Sequence, residues 1–380
     1  MNFVALRMLV GDKLKYISLV AGLSFAALLI TQQAAIFTGY ALQTGAWIRD
    51  TSVGDLWVMD DQVEFTEDLK PLTETKLSRV RGVDGVAWAV PIYKSFFDAV
   101  LPDGTRRNVR IIGIDDATLI GGPPQIVEGS LEALRQDKAV LMDVDKASDL
   151  MLNRFEQPRP LRVGDRISLN DNEAVIVGSF RSSREFFWEP VFYTTYGRAK
   201  TLYKDRKALQ YMLVSVREGQ DPLQVAARIE GSTGLKALTG RQFEAQTMDW
   251  ILNKTGILVN FGITILLGLI IGILIAGQTL YTFVLDNLRY FAAIKAMGAG
   301  NATIIRMVLL QVAVVGLLGY GLGLGVACIT GMIFQHTDLA FRMTWHIPVI
   351  GAVGILVCSG LAALVSLARV LRLEPAVVFK

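Results

Sequence analysis

Apolar positions along the chain fall into two regimes. No Asp, Glu, Lys or Arg occurs in four windows, 16–48, 255–285, 307–337 and 343–368. Each exceeds the roughly 20 apolar residues that cross a hydrocarbon core of about 30 Å. Four transmembrane helices are predicted. Between the first two windows charge returns at ordinary density, and β-branched and aromatic residues cluster between turn formers. Strands are expected there at 55–60, 86–91, 110–114, 139–142, 166–169, 174–180 and 211–216. Helical spacing occurs at 66–79, 199–204 and 222–229. The expected fold is an integral membrane α-helical protein with four transmembrane helices. A large extracytoplasmic α+β domain lies between helices 1 and 2, in two lobes, the middle lobe inserted near 114–210.

Composition agrees with two averaged populations. Of 380 residues, 52% are hydrophobic and 19% charged, with mean hydropathy +0.41, against about 25% charged in an average chain. A wholly soluble enzyme is excluded. A formal net charge of +3 without a basic run argues against a nucleic-acid partner. Cys328 and Cys358 both fall in apolar windows and read as packing residues. The large domain therefore has neither a disulfide framework nor a thiolate zinc site. Both histidines, His336 and His346, lie near the chain end, which removes Ser-His-Asp chemistry and His-ligated metals from the domain. Asp115-Asp116 and Asp143/Asp145 read as solvated turn formers rather than catalytic or calcium groups. No catalytic or metal site is expected.

Basic residues near the apolar windows set the orientation. The segments before the first window, between the second and third, and after the fourth are each net basic, whereas residues 39–253 hold 31 acidic against 27 basic residues. The expected order is a cytoplasmic N-terminus 1–15, a first span 16–40 and an external domain 41–253. A second span with a cytoplasmic stalk follows at 254–285, then a connecting helix 286–300 and a third span 301–335. A short outer loop 336–345, a fourth span 346–368 and a cytoplasmic tail 369–380 complete it. The first span has the basic start of a signal peptide, but its apolar stretch outlasts the usual 7–15 residues, so it reads as a retained anchor. The second window would make roughly 46 Å of helix. It either tilts or continues beyond the membrane as a stalk.

Residues 286–298 read as a short amphipathic helix, with Leu288, Phe291, Ile294 and Met297 recurring on one side and Arg289 and Lys295 elsewhere. Gly298 or Gly300 suits the left-handed position that ends a helix, and Asn301 suits the cap of the next. Such a helix either seats a partner or lies in the interface. Gly319/Gly323 and Gly321/Gly325, with Gly268/Gly272 in the second span, form Gly-x-x-x-Gly pairs suited to helix packing. The four apolar windows carry no acidic residue, lysine or arginine, which disfavours secondary transport.

The stretch Leu280-Tyr-Thr-Phe-Val-Leu-Asp-Asn-Leu-Arg-Tyr-Phe-Ala-Ala-Ile-Lys-Ala-Met-Gly298 resembles the signature of FtsX/MacB-type ABC transporter permeases, and most closely that of DevC-type permease subunits. Leu371-Arg-Leu-Glu-Pro-Ala376 is similar to the family's closing pattern. The segments Leu161-Arg-Val-Gly-Asp-Arg-Ile-Ser-Leu169 and Ala174-Val-Ile-Val-Gly178 are similar to a hairpin common in its external domains. The span order, one helix, a large domain and three helices, resembles the family over the whole chain. The resemblance implies an ATPase-coupling helix carrying Asp286, Leu288, Arg289, Phe291, Ile294, Lys295, Met297 and Gly298. No Gly-x-x-x-x-Gly-Lys-Ser/Thr loop occurs, so no cofactor is expected in this chain and ATP with Mg belongs to a separate ATPase dimer. The acidic residue usual ahead of the coupling helix's alanine is replaced by Tyr290 or Phe291. A permease homodimer, a periplasmic adaptor, an outer-membrane channel and membrane lipids are the other implied partners. Implied functions are export of lipid, glycolipid or other hydrophobic cargo from the bacterial inner membrane, lipoprotein release of the LolC/LolE kind, or FtsX-like control of a cell-wall hydrolase.

Overall fold

The structure, a computed structural model, describes residues 2–51, 53–147, 150–152, 159–186, 189–202, 209–334 and 339–371. Helices α1 (Asn2–Gly11), α2 (Lys13–Thr44) and α3 (Ala46–Asp50) come first, followed by β1 (Leu56–Met59), α4 (Glu74–Arg81), β2 (Val86–Val100), β3 (Arg106–Ile114) and β4 (Gln125–Glu128). After a 3-10 turn, Leu131–Arg135, come β5 (Ala139–Asp143), α5 (Val144–Ala147), β6 (Met151–Leu152), β7 (Arg159–Pro160), β8 (Arg166–Leu169), β9 (Asn172–Arg181) and β10 (Val191–Thr195). Then follow α6 (Tyr196–Leu202), β11 (Tyr211–Val216), α7 (Pro222–Thr233), β12 (Lys236–Thr239) and α8 (Gly240–Lys254). The last four helices are α9 (Ile257–Asp286), α10 (Leu288–Ala296), α11 (Asn301–Phe334) and α12 (His346–Leu371). Two compact units result, Leu42–Thr255 and Met1–Ala41 with Gly256–Lys380.

Ten strands of the first unit form one mixed sheet in the order β12-β1-β11-β2-β3-β10-β5-β9-β4, with β8 pairing both β2 and β9. Two pairings, β10 with β3 and β5 with β9, are parallel. The expected two-lobe division falls inside one strand rather than at residue 114. The first half of β2, to Ile92, pairs with β11, and the second half, from Tyr93, pairs with β3. Alternation along β1 shows why it is buried on both faces. Leu56 and Val58 pack on one side with Val80 of α4, Ala199 of α6 and Val225 and Ile229 of α7. Trp57 and Met59 pack on the other with Trp47 and Ile48 of α3 and Phe243 of α8. This is the α+β architecture expected from the sequence.

Sequence and structure differ in places. Helix α4 starts at Glu74, not 66, because Pro71 breaks the run and Thr73 is extended at its cap. Strands β4, β6, β7, β10 and β12 and helices α3 and α8 have no counterpart among the expected elements. Helix α8 opens with a capping box between Thr239 and Gln242. It is separated from α9 by Gly256, at φ +72°. Asn301 lies inside the first turn of α11 rather than before it. Expectations at 203–204, His336, Phe187, Trp188 and the tail from Arg372 onward lie outside the described residues.

Among the described residues four helices are long and apolar enough to cross a membrane, Lys13–Thr44, Ile257–Asp286, Asn301–Phe334 and His346–Ala368. They pack through small residues. A Cβ at Gly268 would lie 3.2 Å from that of Leu29, and one at Gly272 only 2.7 Å from that of Ala26. Gly319 and Gly323 meet Leu23, Ser24 and Ala27 of α2, whereas Gly321 and Gly325 have nothing within 4 Å of where a Cβ would sit. The two halves of that glycine run therefore do different things. Helix α1 buries Ala5 and Leu9 and is pinned by buried Gln311, whose Nε2 donates to the Ala5 carbonyl at 2.7 Å.

Candidate functional site

The connection between α9 and α11 is a closed, well-satisfied helix. At its start Asn287 Nδ2 donates to the Phe283 carbonyl at 2.9 Å, and the amides of Tyr290 and Phe291 return to the Asn287 carbonyl at 3.0 and 3.1 Å. At its end the Ala299 amide reaches the Ile294 carbonyl at 3.2 Å and the Gly298 amide that of Lys295 at 3.1 Å. With Gly298 at φ +96°, these two bonds form a Schellman ending, which a residue with a Cβ would strain. Asp286 is paired with Lys15 at the head of α2.

The expected apolar face divides in two. Phe291 is 0% exposed and Ile294 is buried, in one cluster with Phe283, Val284, Ile304 and Met307. Leu288 packs against the same cluster. Met297, by contrast, is 79% exposed and Tyr290 64%. The expectation that Leu288, Phe291, Ile294 and Met297 share one face is thus corrected. At about 100° per residue, steps of three drift round the helix, and Met297 sits about 180° from Leu288. Arg289, Tyr290, Ala296 and Met297 are the exposed side chains of α10 and its end, within about 120° of arc, and Asp286 at the end of α9 is exposed as well. Lys295 is half-buried and lies on the packed side, about 20° from Leu288.

Comparison with known proteins gives this geometry its context. Residues 18–232 match the MacB-like periplasmic core domain, and residues 262–375 match the FtsX-like permease C-terminal domain. The chain belongs to the FtsX/MacB-type ABC transporter permeases. Two Mycobacterium tuberculosis proteins described as uncharacterized ABC transporter permeases, MT0078 (strain CDC 1551 / Oshkosh) and Rv0072 (strain H37Rv), are similar to it. Each is 24% identical over 316 residues, covering 81% of this chain and 79% of the relative. Among solved structures, the periplasmic region of MacB from Actinobacillus actinomycetemcomitans is similar at 10% identity and TM-score 0.39, over 53% of this chain and 95% of that one. The extracellular domain of the noncanonical ABC-type transporter YknZ from Gram-positive bacteria is similar at 14% identity and TM-score 0.36, over 49% and 99%. Membership implies a multi-pass membrane subunit and an ATPase partner.

The permease also contains a charged cluster that sequence reading did not find. Lys94 on β2 and Arg110 on β3 have side chains 0% exposed. Lys94 Nζ lies 2.7 Å from Glu67 Oε1 and 3.0 Å from Glu185 Oε2, and 4.0 Å from the centroid of the Trp47 ring. Arg110 Nη1 lies 2.5 Å from Glu185 Oε2, with Glu67 at 3.5 Å and Glu189 at 4.0 Å from Nη2. Burial pushes the Glu185 carboxyl up, but Arg110 and Lys94 outweigh it and hold it below the usual range. Burial wins at Glu189, Asp143 and Asp50, all raised. Sequence alone hides this group because its members are strand residues and loop residues up to 122 positions apart. The acidic pairs singled out from sequence do structural work instead. Asp116 accepts from the Gly197 amide at the start of α6, and Asp143 from Ser182 Oγ at 2.6 Å.

Proposed function

We propose that this permease is the membrane subunit of an exporter, in which a separate ATPase dimer, binding ATP with Mg, docks on α10 and drives movement of the domain between the first two spans. Two copies of the chain pair in the complex, and lipid, glycolipid or other hydrophobic cargo leaves with a periplasmic adaptor and an outer-membrane channel. What supports the coupling is the build of α10. One side is seated by Phe291 and Ile294, both its ends are closed by hydrogen bonds, and the opposite side presents Arg289, Tyr290 and Met297. A helix so held passes on a push rather than absorbing it. Absence of Asp, Glu, Lys and Arg from the windows fits a machine that does not move ions through its spans.

Pull-down of the cognate ATPase tests this. Burying a large apolar side chain contributes about 1.5–3 kcal/mol, so Met297→Asp and Tyr290→Asp are each expected to weaken capture at least tenfold while the permease stays monodisperse. Capture at wild-type strength by the double variant would refute docking on this face. The proposed orientation, both termini cytoplasmic in the inner membrane, rests on the basic segments flanking the apolar windows. In a background without Cys328 and Cys358, Asp61→Cys is expected to react with an impermeant maleimide in intact spheroplasts and Met297→Cys only after lysis. The reverse pattern would invert the topology.

A further inference from the structure

The chain leaves α2 through α3 and enters α9 from α8, so these two helices are the covalent links between the spans and the sheet. Both are tied to segments that meet at Lys94. On the α3 side, the Trp47 ring lies under Lys94 Nζ, and Asp50 accepts from the Ser183 amide and Oγ at 2.6 and 2.8 Å. Ser183 stands two residues from Glu185. On the α8 side, Gln246 Nε2 donates to the carbonyls of Val63 and Glu64 at 2.8 and 2.9 Å. Trp250 Nε1 donates to Glu64 Oε2 at 2.6 Å, and its ring stacks on Phe65 at 3.8 Å and 10°. Glu67, the partner of Lys94 and Arg110, lies in that same loop. Arg49 and Glu244 join the two helices directly.

Stability alone is a poor reason for this arrangement. Buried ion pairs repay little more than their desolvation, and apolar packing of similar volume does as well. What a buried charged network adds is coupling: its hydrogen bonds strengthen one another when all are made, and an unpaired member is costly. Here the members come from β2, β3, the 60–70 loop and the 182–189 segment. Strand β2 is also the one shared by both halves of the sheet.

We infer that the Lys94–Arg110–Glu67–Glu185 cluster is the junction at which α3 and α8 are coupled to each other and to the sheet, with Lys94 and Glu185 as positioning residues. The inference rests on the reading above only in giving that coupling a use in transport. Hydrogen-exchange mass spectrometry on the full-length permease in nanodiscs tests it without the ATPase, so its failure and that of the docking reading are distinguishable. Glu185→Gln is expected to speed exchange at least tenfold in 182–186, 46–51, 60–68 and 246–250 together. Acceleration confined to 182–186 would overturn the inference. Trp250→Ala is the second variant, because it removes no buried charge and leaves the cluster's own side chains intact. It is expected to speed exchange at 46–51 and 182–186, segments with no direct bond to Trp250. An effect limited to 60–68 and α8 would overturn the inference equally, whether or not Glu185→Gln folds.

Discussion

Phe291→Asp is expected to cost the permease its folded helix bundle, not merely its grip on an ATPase. The ring is fully buried beside Phe283, Val284, Ile304 and Met307. Truncating such a residue costs about 3–5 kcal/mol through lost burial and the cavity left behind. A carboxyl group without a partner in the same place is driven to its neutral form, and burying even a neutral polar group unpaired adds roughly 2–7 kcal/mol. That sum is comparable to the whole stability of a typical domain, about 5–15 kcal/mol. Size-exclusion chromatography of a fluorescent fusion in mild detergent should show aggregation and a low membrane yield. Phe291→Leu, which keeps an apolar side chain, should restore the monodisperse peak. Tyr290→Asp, one residue away but outward-facing, should behave as wild type in this assay. A monodisperse Phe291→Asp protein at normal yield would mean that the side chain is not packed as described.

That contrast shows what the sequence makes legible and what it does not. The four apolar windows need only composition, and all four became helices. Their glycine pairs are equally visible, yet the text of the chain does not say which pair faces a neighbour, because that depends on helix rotation. The same limit explains α10. Residues three apart look like one face over a single turn, but Leu288 and Met297 have drifted to opposite sides. The outward face follows 289, 290, 293, 296 and 297, at the steps of three and four that stay together. In the large domain, β10 has clear strand composition in Val191-Phe-Tyr-Thr-Thr195, but the aromatic run just before it blurs where a strand would start. Four-residue strands such as β4 and β12 carry too few positions for alternation to show. The Lys94 cluster is invisible for another reason. Charged residues in strands read as solvent-facing, and only the pairing of β2 with β3 places Lys94 and Arg110 where Glu67 and Glu185 can neutralise them.

Gly323→Leu and Gly325→Leu should differ sharply although they lie two residues apart in one helix. That separation is about 200° of rotation, so the two positions face nearly opposite ways. At Gly323 a Cβ would lie 2.5 Å from the Cβ of Ala27 and 2.9 Å from the Leu28 amide nitrogen, and closer still to the Ser24 carbonyl oxygen. Two of these three atoms are α2 backbone, which no rotamer change can clear. Accommodating a leucine requires α2 and α11 to separate, and their separation also disturbs Gly319 against Leu23. Overpacking of this kind typically costs about 1–3 kcal/mol where side chains can adjust, and backbone contact places this site at the upper end or beyond. At Gly325 nothing lies within 4 Å, so a leucine adds apolar surface where the span already shows Leu322, Val326 and Ile329 outward. Replacing glycine in a helix interior is also favourable by up to roughly 1 kcal/mol. Thermal stability by fluorescence-detected chromatography should therefore fall steeply for Gly323→Leu and stay level or rise for Gly325→Leu. Equal losses at both positions would contradict the packing of α11 on α2, since only one of the two glycines touches it.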